Sequence, residues 1–163
     1  MLNQKIQDAL NQQINAELSS AYLYLAMAAE FDVQNLPGMA RWMRAQSQEE
    51  VKHAMKLYEF INQRDGRVTL GQINAPKVEW KCPREAFEVA YRHEQYITGR
   101  INDLVNLAEG EKDHAATSFL QWFVNEQVEE EAAALAIVEK LKLAGDSGVV
   151  YLMLDSQLGQ RGG

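Results

Sequence analysis

Long helix-favouring stretches with almost no punctuation leave this chain few folds to choose from. Its clear breaks are Leu36-Pro37-Gly38, Asp65-Gly66, the span from Val68 to Pro83, the run from Gly110 to Asp113, and Gly145-Asp146-Ser147-Gly148. Between them lie four segments of about 26 to 30 residues, rich in Ala, Leu, Glu, Gln and Lys, which lose little side-chain freedom in a helix. The spacing predicts a first helix over Asn3–Phe31, a second over Met39–Arg64, a third over Arg84–Glu109 and a fourth over His114–Leu143. Each would be about 40 Å long at 1.5 Å rise per residue.

Periodicity agrees. The first segment puts Ile6, Leu10, Ile14, Ala21, Tyr24 and Ala28 on one stripe, and the third does the same with Phe87, Tyr91, Ile97, Ile101, Leu104 and Ala108. Short links join helices one to two and three to four, so these pairs are antiparallel neighbours. The link from two to three has about 19 residues and reaches about 60 Å when extended, enough to run the length of a bundle. The expected fold is all-α, a four-helix bundle with one long crossover between parallel second and third helices. A short fifth helix is expected over about 147–158. Residues 1–163 read as a single domain, with the bundle over about 3–143.

Composition narrows the function. Sixteen basic against twenty-three acidic residues give net −7, with no local basic patch, which disfavours nucleic acid and anionic membrane surfaces as partners. The single cysteine, Cys82, excludes an internal disulfide and a multi-thiolate zinc or iron site. The longest apolar run, Ala21 to Ala29, is too short for a bilayer, and the first residues carry no signal pattern, so a cytoplasmic location is expected. After Gly148, Val149 to Leu154 is apolar nearly all round. It is read as a segment buried against copies of the chain, the alternative being a tail packed on the bundle.

Charge sits where the core should be. The second helix's stripe reads Met43, Gln46, Glu50, His53, Leu57, Phe60, and the fourth's reads Leu120, Phe123, Gln127, Glu130, Ala134, Ile137. Glu17 lies mid-stripe in the first helix and Glu94 in the third. Glu17 falls 18 residues before the first turn, near Asn35, with Glu50 and His53 15 and 18 after it, which places all three at one depth. Glu94, Gln127 and Glu130 repeat that pattern about Lys112, at a constant offset of 77 residues. Isolated carboxylates cannot ionise in a dry bundle, where the idealised transfer cost is on the order of 20 kcal/mol each. Protonation with raised pKa values is one escape; buried lysines are another, but the stripes hold no Lys or Arg at that level. Two divalent cations would balance the four glutamates, with His53 as the nitrogen ligand, a shell suited to iron or manganese.

At these residues the chain resembles a non-haem bacterial or archaeal ferritin over essentially its whole length. The stretches that carry the likeness run from Asn15 to Tyr24, from Gln48 to Ala54, from Tyr91 to Glu94 and from Gln121 to Glu131. Di-iron bundles of this kind place Glu-x-x-His on two helices. Here Gln127-x-x-Glu130 replaces the second copy, similar to the ferritin form of the site and unlike bacterioferritin or rubrerythrin. Val51 stands where bacterioferritin has its haem-associated Met, so haem is not expected.

The resemblance implies iron storage by a ferroxidase: ferrous ions are oxidised by O2 or H2O2 at a di-iron centre and stored as ferric mineral inside a shell of 24 subunits. It implies that Glu17, Glu50 and His53 hold one iron, with Glu50 bridging, and that Glu94 and Glu130 hold the other. A third iron would use Glu49, Glu126, Glu129 and Glu130. Gln127 would flank the oxygen-binding face. Tyr24, and Trp122 after it, would serve as electron donors, although both also suit ordinary aromatic packing. His93 and His114 are read as surface groups, because His93 points about 100° off the stripe and His114 opens its helix. Two competing readings are a di-iron peroxidase or oxygenase acting on an external substrate, and a non-catalytic helical scaffold whose polar groups set register only.

Overall fold

In a computed structural model that describes residues 1–161, the chain forms five helices. These are α1 (Gln4–Val33), α2 (Pro37–Gln63), α3 (Pro83–Gly110), α4 (His114–Ala144) and α5 (Gly148–Leu158). No strand is present among the described residues. The helices expected to begin at Met39 and Arg84 begin earlier, at Pro37 and Pro83. Proline has no N–H to leave unpaired at a first helical position and its φ is already helical, so both prolines start helices instead of lying in the breaks.

α1 packs against α2 and α3 against α4. The two hairpin turns are copies of one another. Asn35 and Lys112, 77 positions apart, both adopt positive φ, at 60° and 58°. Around them Leu36 N–H donates to the Phe31 carbonyl and Asp113 N–H to the Ala108 carbonyl, each at 2.9 Å. The offset read from the mid-stripe polar residues therefore extends to backbone conformation.

The crossover, residues 64–82, runs irregularly along α1. A row of amides at fourth positions on that helix holds it. Gln7 accepts from the Arg67 N–H, Asn11 accepts from the Thr69 N–H and donates to the Arg67 carbonyl, and Asn15 donates to the Gln72 carbonyl, at 2.9 to 3.1 Å. Gln34, just past α1, then donates to the Trp80 carbonyl at 3.2 Å. The strap thus climbs α1 from its first turns to its end, which makes α3 antiparallel to α1 and parallel to α2. Buried apolar residues fall into two clusters. One surrounds Phe31, Met43 and Phe87, and the other surrounds Leu10, Leu57 and Leu120. A polar layer separates them.

α5 lies against α2 and α4. Leu154 is buried, with Val150, Tyr151 and Leu158 packed on the cluster around Phe31, Met43 and Phe87, while Val149, Leu152 and Met153 are exposed. The segment combines both sequence readings: one side packs on its own bundle and the other is uncovered. Gly38 permits the contact, since a Cβ there would lie 1.8 Å from the Asp155 carbonyl oxygen. No helix among the described residues is long and apolar enough to cross a membrane.

Candidate metal centre

The polar layer is the site. Glu17 comes from α1, Glu50 and His53 from successive turns of α2, Glu94 from α3 and Glu130 from α4. Their exposures are 0, 1, 2, 2 and 9%, so all five are withdrawn from water despite being ionisable. Ligand-type atoms gather in three overlapping groups, each within 4.8 Å: Glu17 with Glu50 and His53; Glu50 with Glu94 and Glu130; His53 with Glu126 and Glu130. Glu50 belongs to the first two and so bridges them.

Protein groups satisfy only part of this layer. Gln13 Nε2 donates to Glu17 Oε1 at 3.0 Å, and Gln46 Nε2 donates to Glu50 Oε1 at 3.0 Å and to Glu130 Oε2 at 2.6 Å. The Tyr24 hydroxyl donates to Glu94 Oε1, and Gln127 Nε2 reaches Glu94 Oε2 at 3.1 Å. Glu17 Oε2 and both nitrogens of His53 are buried with no hydrogen-bond partner. The imidazole Nδ1 instead faces Glu50 Oε2 at 3.3 Å and Glu17 Oε2 at 3.9 Å. Buried polar atoms left unpaired cost about 1–3 kcal/mol each, and Glu17 Oε2 and His53 Nδ1, 3.9 Å apart, face one another, so they call for a further partner between them.

Electrostatics give the same answer. Burial first, then the neighbouring Glu50 carboxylate, holds Glu17 well above the usual carboxylate range. Burial likewise raises Glu94, and pushes Glu50 up to about 8 and Glu130 to about 7. Without a cation the layer must retain protons through neutral pH. The oxygen-rich donor set with one imidazole fits a hard or borderline divalent ion and has no thiolate to favour a softer one.

The remaining residues singled out from the sequence are placed as follows. Tyr24 is buried on Glu94, and Gln127 spans the Glu94 carboxylate and the Thr98 hydroxyl. Glu126 lies with Nε2 of His53 at 3.8 Å. Glu49 is half-buried and pairs with Lys52 at 3.2 Å, and Glu129 is exposed; neither joins the three groups. Trp122 sits half-exposed, its ring edge-on to His53 with centroids 5.4 Å apart. His114 is exposed as expected. His93 is not a surface group: it is half-buried, with Nε2 2.6 Å from the Ser20 hydroxyl. Burial pushes its pKa down to about 4. A position 100° off the stripe still faces the neighbouring helix in a tight antiparallel pair, and that is where α1 meets α3.

Sequence reasoning assigned no role to Gln13 or Gln46. Each lies four residues before a ligand-type glutamate, Glu17 and Glu50, on the same helix face, and that repeated Gln-x-x-x-Glu spacing was the available signal. Arg100, Thr98 and Arg161, which join this network from other elements, leave no comparable local pattern.

A four-helix bundle with a buried carboxylate from every helix at mid-depth is the arrangement of the carboxylate-bridged metal bundles, although here α2 alone carries the Glu-x-x-His turn that those bundles place on two helices. The model of the ferritin-like domain matches residues 7–144, and the chain belongs to the ferritin family. It is 44% identical over 161 residues to the bacterial non-heme ferritin of Bacteroides fragilis, covering 99% of this chain and all of that one. It is 40% identical over 158 residues to that of Campylobacter jejuni, covering 97% and 95%. The crystal structure of an open pore ferritin from the hyperthermophilic archaeon Archaeoglobus fulgidus superposes with a TM-score of 0.99, at 52% identity, over 99% of this chain and all of that one.

Proposed function

We propose that the chain oxidises ferrous iron, its substrate, with O2 or H2O2 as acceptor, and stores the ferric product inside a shell of its own copies. Membership of the ferritin family supports assembly with further copies of the chain, which we take to be a shell of 24 in the cytoplasm. The observation that carries the reading is that Glu17 Oε2 and His53 Nδ1, buried and unpaired, face one another at 3.9 Å within a carboxylate layer drawn from all four helices.

Glu17, Glu50 and His53 hold one ferrous ion, and Glu94 and Glu130 hold a second, with Glu50 shared. Each ion gives up one electron, so a pair supplies the two electrons that take O2 to hydrogen peroxide, or peroxide to water. The carboxyl protons retained by the empty layer leave as cations arrive, so loading releases protons. Tyr24 fixes Glu94 and lies within the layer, where it and Trp122, behind His53, would supply the two further electrons needed if O2 is taken past peroxide to water. Gln127 orients Glu94 on the side where oxygen would approach. A third iron position at Glu49, Glu126, Glu129 and Glu130 draws support from the grouping of Glu126 and Glu130 with His53.

Glu50→Ala tests this. Removing the shared ligand should slow rapid ferrous oxidation by more than about a hundredfold, since loss of mere outer partners costs tenfold to a hundredfold. Assembled mass should be unchanged. Wild-type oxidation rates in Glu50→Ala would refute the reading, and retention of only about two irons per chain would favour the peroxidase or oxygenase alternative over storage.

A further inference from the structure

Two buried glutamines orient three of the four core carboxylates, and each is itself oriented by an arginine from elsewhere in the fold. Arg100 of α3 donates from Nε to Gln13 Oε1 at 2.9 Å, and Gln13 Nε2 donates to Glu17. Arg161, beyond the end of α5, donates from Nη2 to Gln46 Oε1 at 2.9 Å, and Gln46 Nε2 donates to both Glu50 and Glu130. An amide side chain can turn over by 180° at little intrinsic cost. Here the arginine leaves one orientation: a guanidinium only donates, so it takes the amide oxygen and turns the amide nitrogen toward the carboxylates. Without the arginine, the amide oxygen could swing toward the carboxylates.

Arg161 is well anchored for such a task. Its Nη1 donates to the Trp42 carbonyl at 3.3 Å, and its guanidinium lies over the Trp42 ring, 4.5 Å from the centroid. The chain carrying it is tied down just upstream, where Asp155 Oδ1 accepts from the Met39 N–H at 2.8 Å. The C-terminal segment thereby reaches the metal layer through a single amide.

We propose that Arg161 is a positioning residue for the metal centre: by holding the Gln46 amide in one orientation, it sets Glu50 and Glu130 in the geometry that receives cations. The Arg100–Gln13–Glu17 chain, built the same way on the opposite flank, shows that the arrangement is repeated. This inference rests on the reading of the layer as a metal site.

Charge alone predicts the opposite sign, which makes the proposal testable. A guanidinium near a cation site repels the cation, so its removal should tighten binding if charge is all that matters; if positioning matters, removal weakens it. Co2+ binding to metal-free assemblies, followed by calorimetry and by the visible bands of the bound ion, reads this without turnover. Arg161→Met keeps the aliphatic stem and removes no buried apolar group. It should weaken Co2+ binding about tenfold. In a Gln46→Leu background the same substitution should cause no further loss, because its route has been cut. Unchanged or tighter binding in Arg161→Met, or an equal loss in the Gln46→Leu background, overturns the proposal. If wild-type protein bound no Co2+ in this layer, the metal-site reading itself would fall and the proposal with it.

Discussion

At the residue scale, Glu50 carries the tension of the site. It faces Glu17, hydrogen-bonds Gln46, lies 3.3 Å from His53 and belongs to two of the three ligand groups. Burial is the main reason its carboxyl is pushed up to about 8. The consequence for stability has a definite sign. Between the ordinary glutamate range and about pH 8, the metal-free folded protein keeps a proton there that the unfolded chain has released. The unfolded state thus binds fewer protons, and the group's contribution to stability, fully present below about pH 4.5, is lost as pH rises through about 8. Glu50→Gln, which cannot ionise, should therefore gain on the metal-free wild type across that window, by up to about 1.4 kcal/mol per pH unit. Melting temperatures at pH 5 and pH 8.5 check this: the gap between variant and wild type should widen at the higher pH. A gap that stays constant would mean that Glu50 is not held protonated by its surroundings.

At the scale of elements, the four long helices were legible because each carries its own boundary and face signals. All six stripe positions named on the first, second and fourth segments are buried, and on the third only Tyr91 is partly exposed. What escaped sequence reading are contacts between elements far apart in the chain, which leave no local period. The strap along α1, the seat of His93 against Ser20 and the docking of α5 are of this kind. α5 shows why such contacts matter. The residue before α2, Leu36, offers no side-chain cap, and Asp155 supplies one from the other end of the chain by accepting the Met39 N–H in a buried position. Asp155→Ala should cost about 1 kcal/mol, the usual price of a lost cap, and more to the extent that the buried N–H stays unpaired. Amide exchange of Met39 and of residues 148–158 should accelerate while the α3–α4 hairpin stays protected. Exchange in α5 at the wild-type rate would show that its apolar contacts hold it without the cap.

At the scale of the whole molecule, the bundle is two apolar cores held apart by one polar layer. The depth of that layer was readable from counting along each hairpin, and the 77-residue offset that revealed it recurs in the backbone of both turns. The hydrogen-bond shell was not readable, since Arg100 and Arg161 reach the layer from α3 and from the chain end. The uncovered side of α5, with Val149, Leu152 and Met153, gives a subunit surface that assembly would bury. Neither the two cores nor an assembly explains why every helix places a carboxylate at one buried level; the proposed compensation by iron would. An anomalous-difference map at the iron edge, from crystals loaded with ferrous iron without oxygen, tests this most directly. The account predicts at least two peaks inside each chain, one among Glu17, Glu50 and His53 and one among Glu50, Glu94 and Glu130. Iron seen only on the surface, with the interior layer empty, would contradict it.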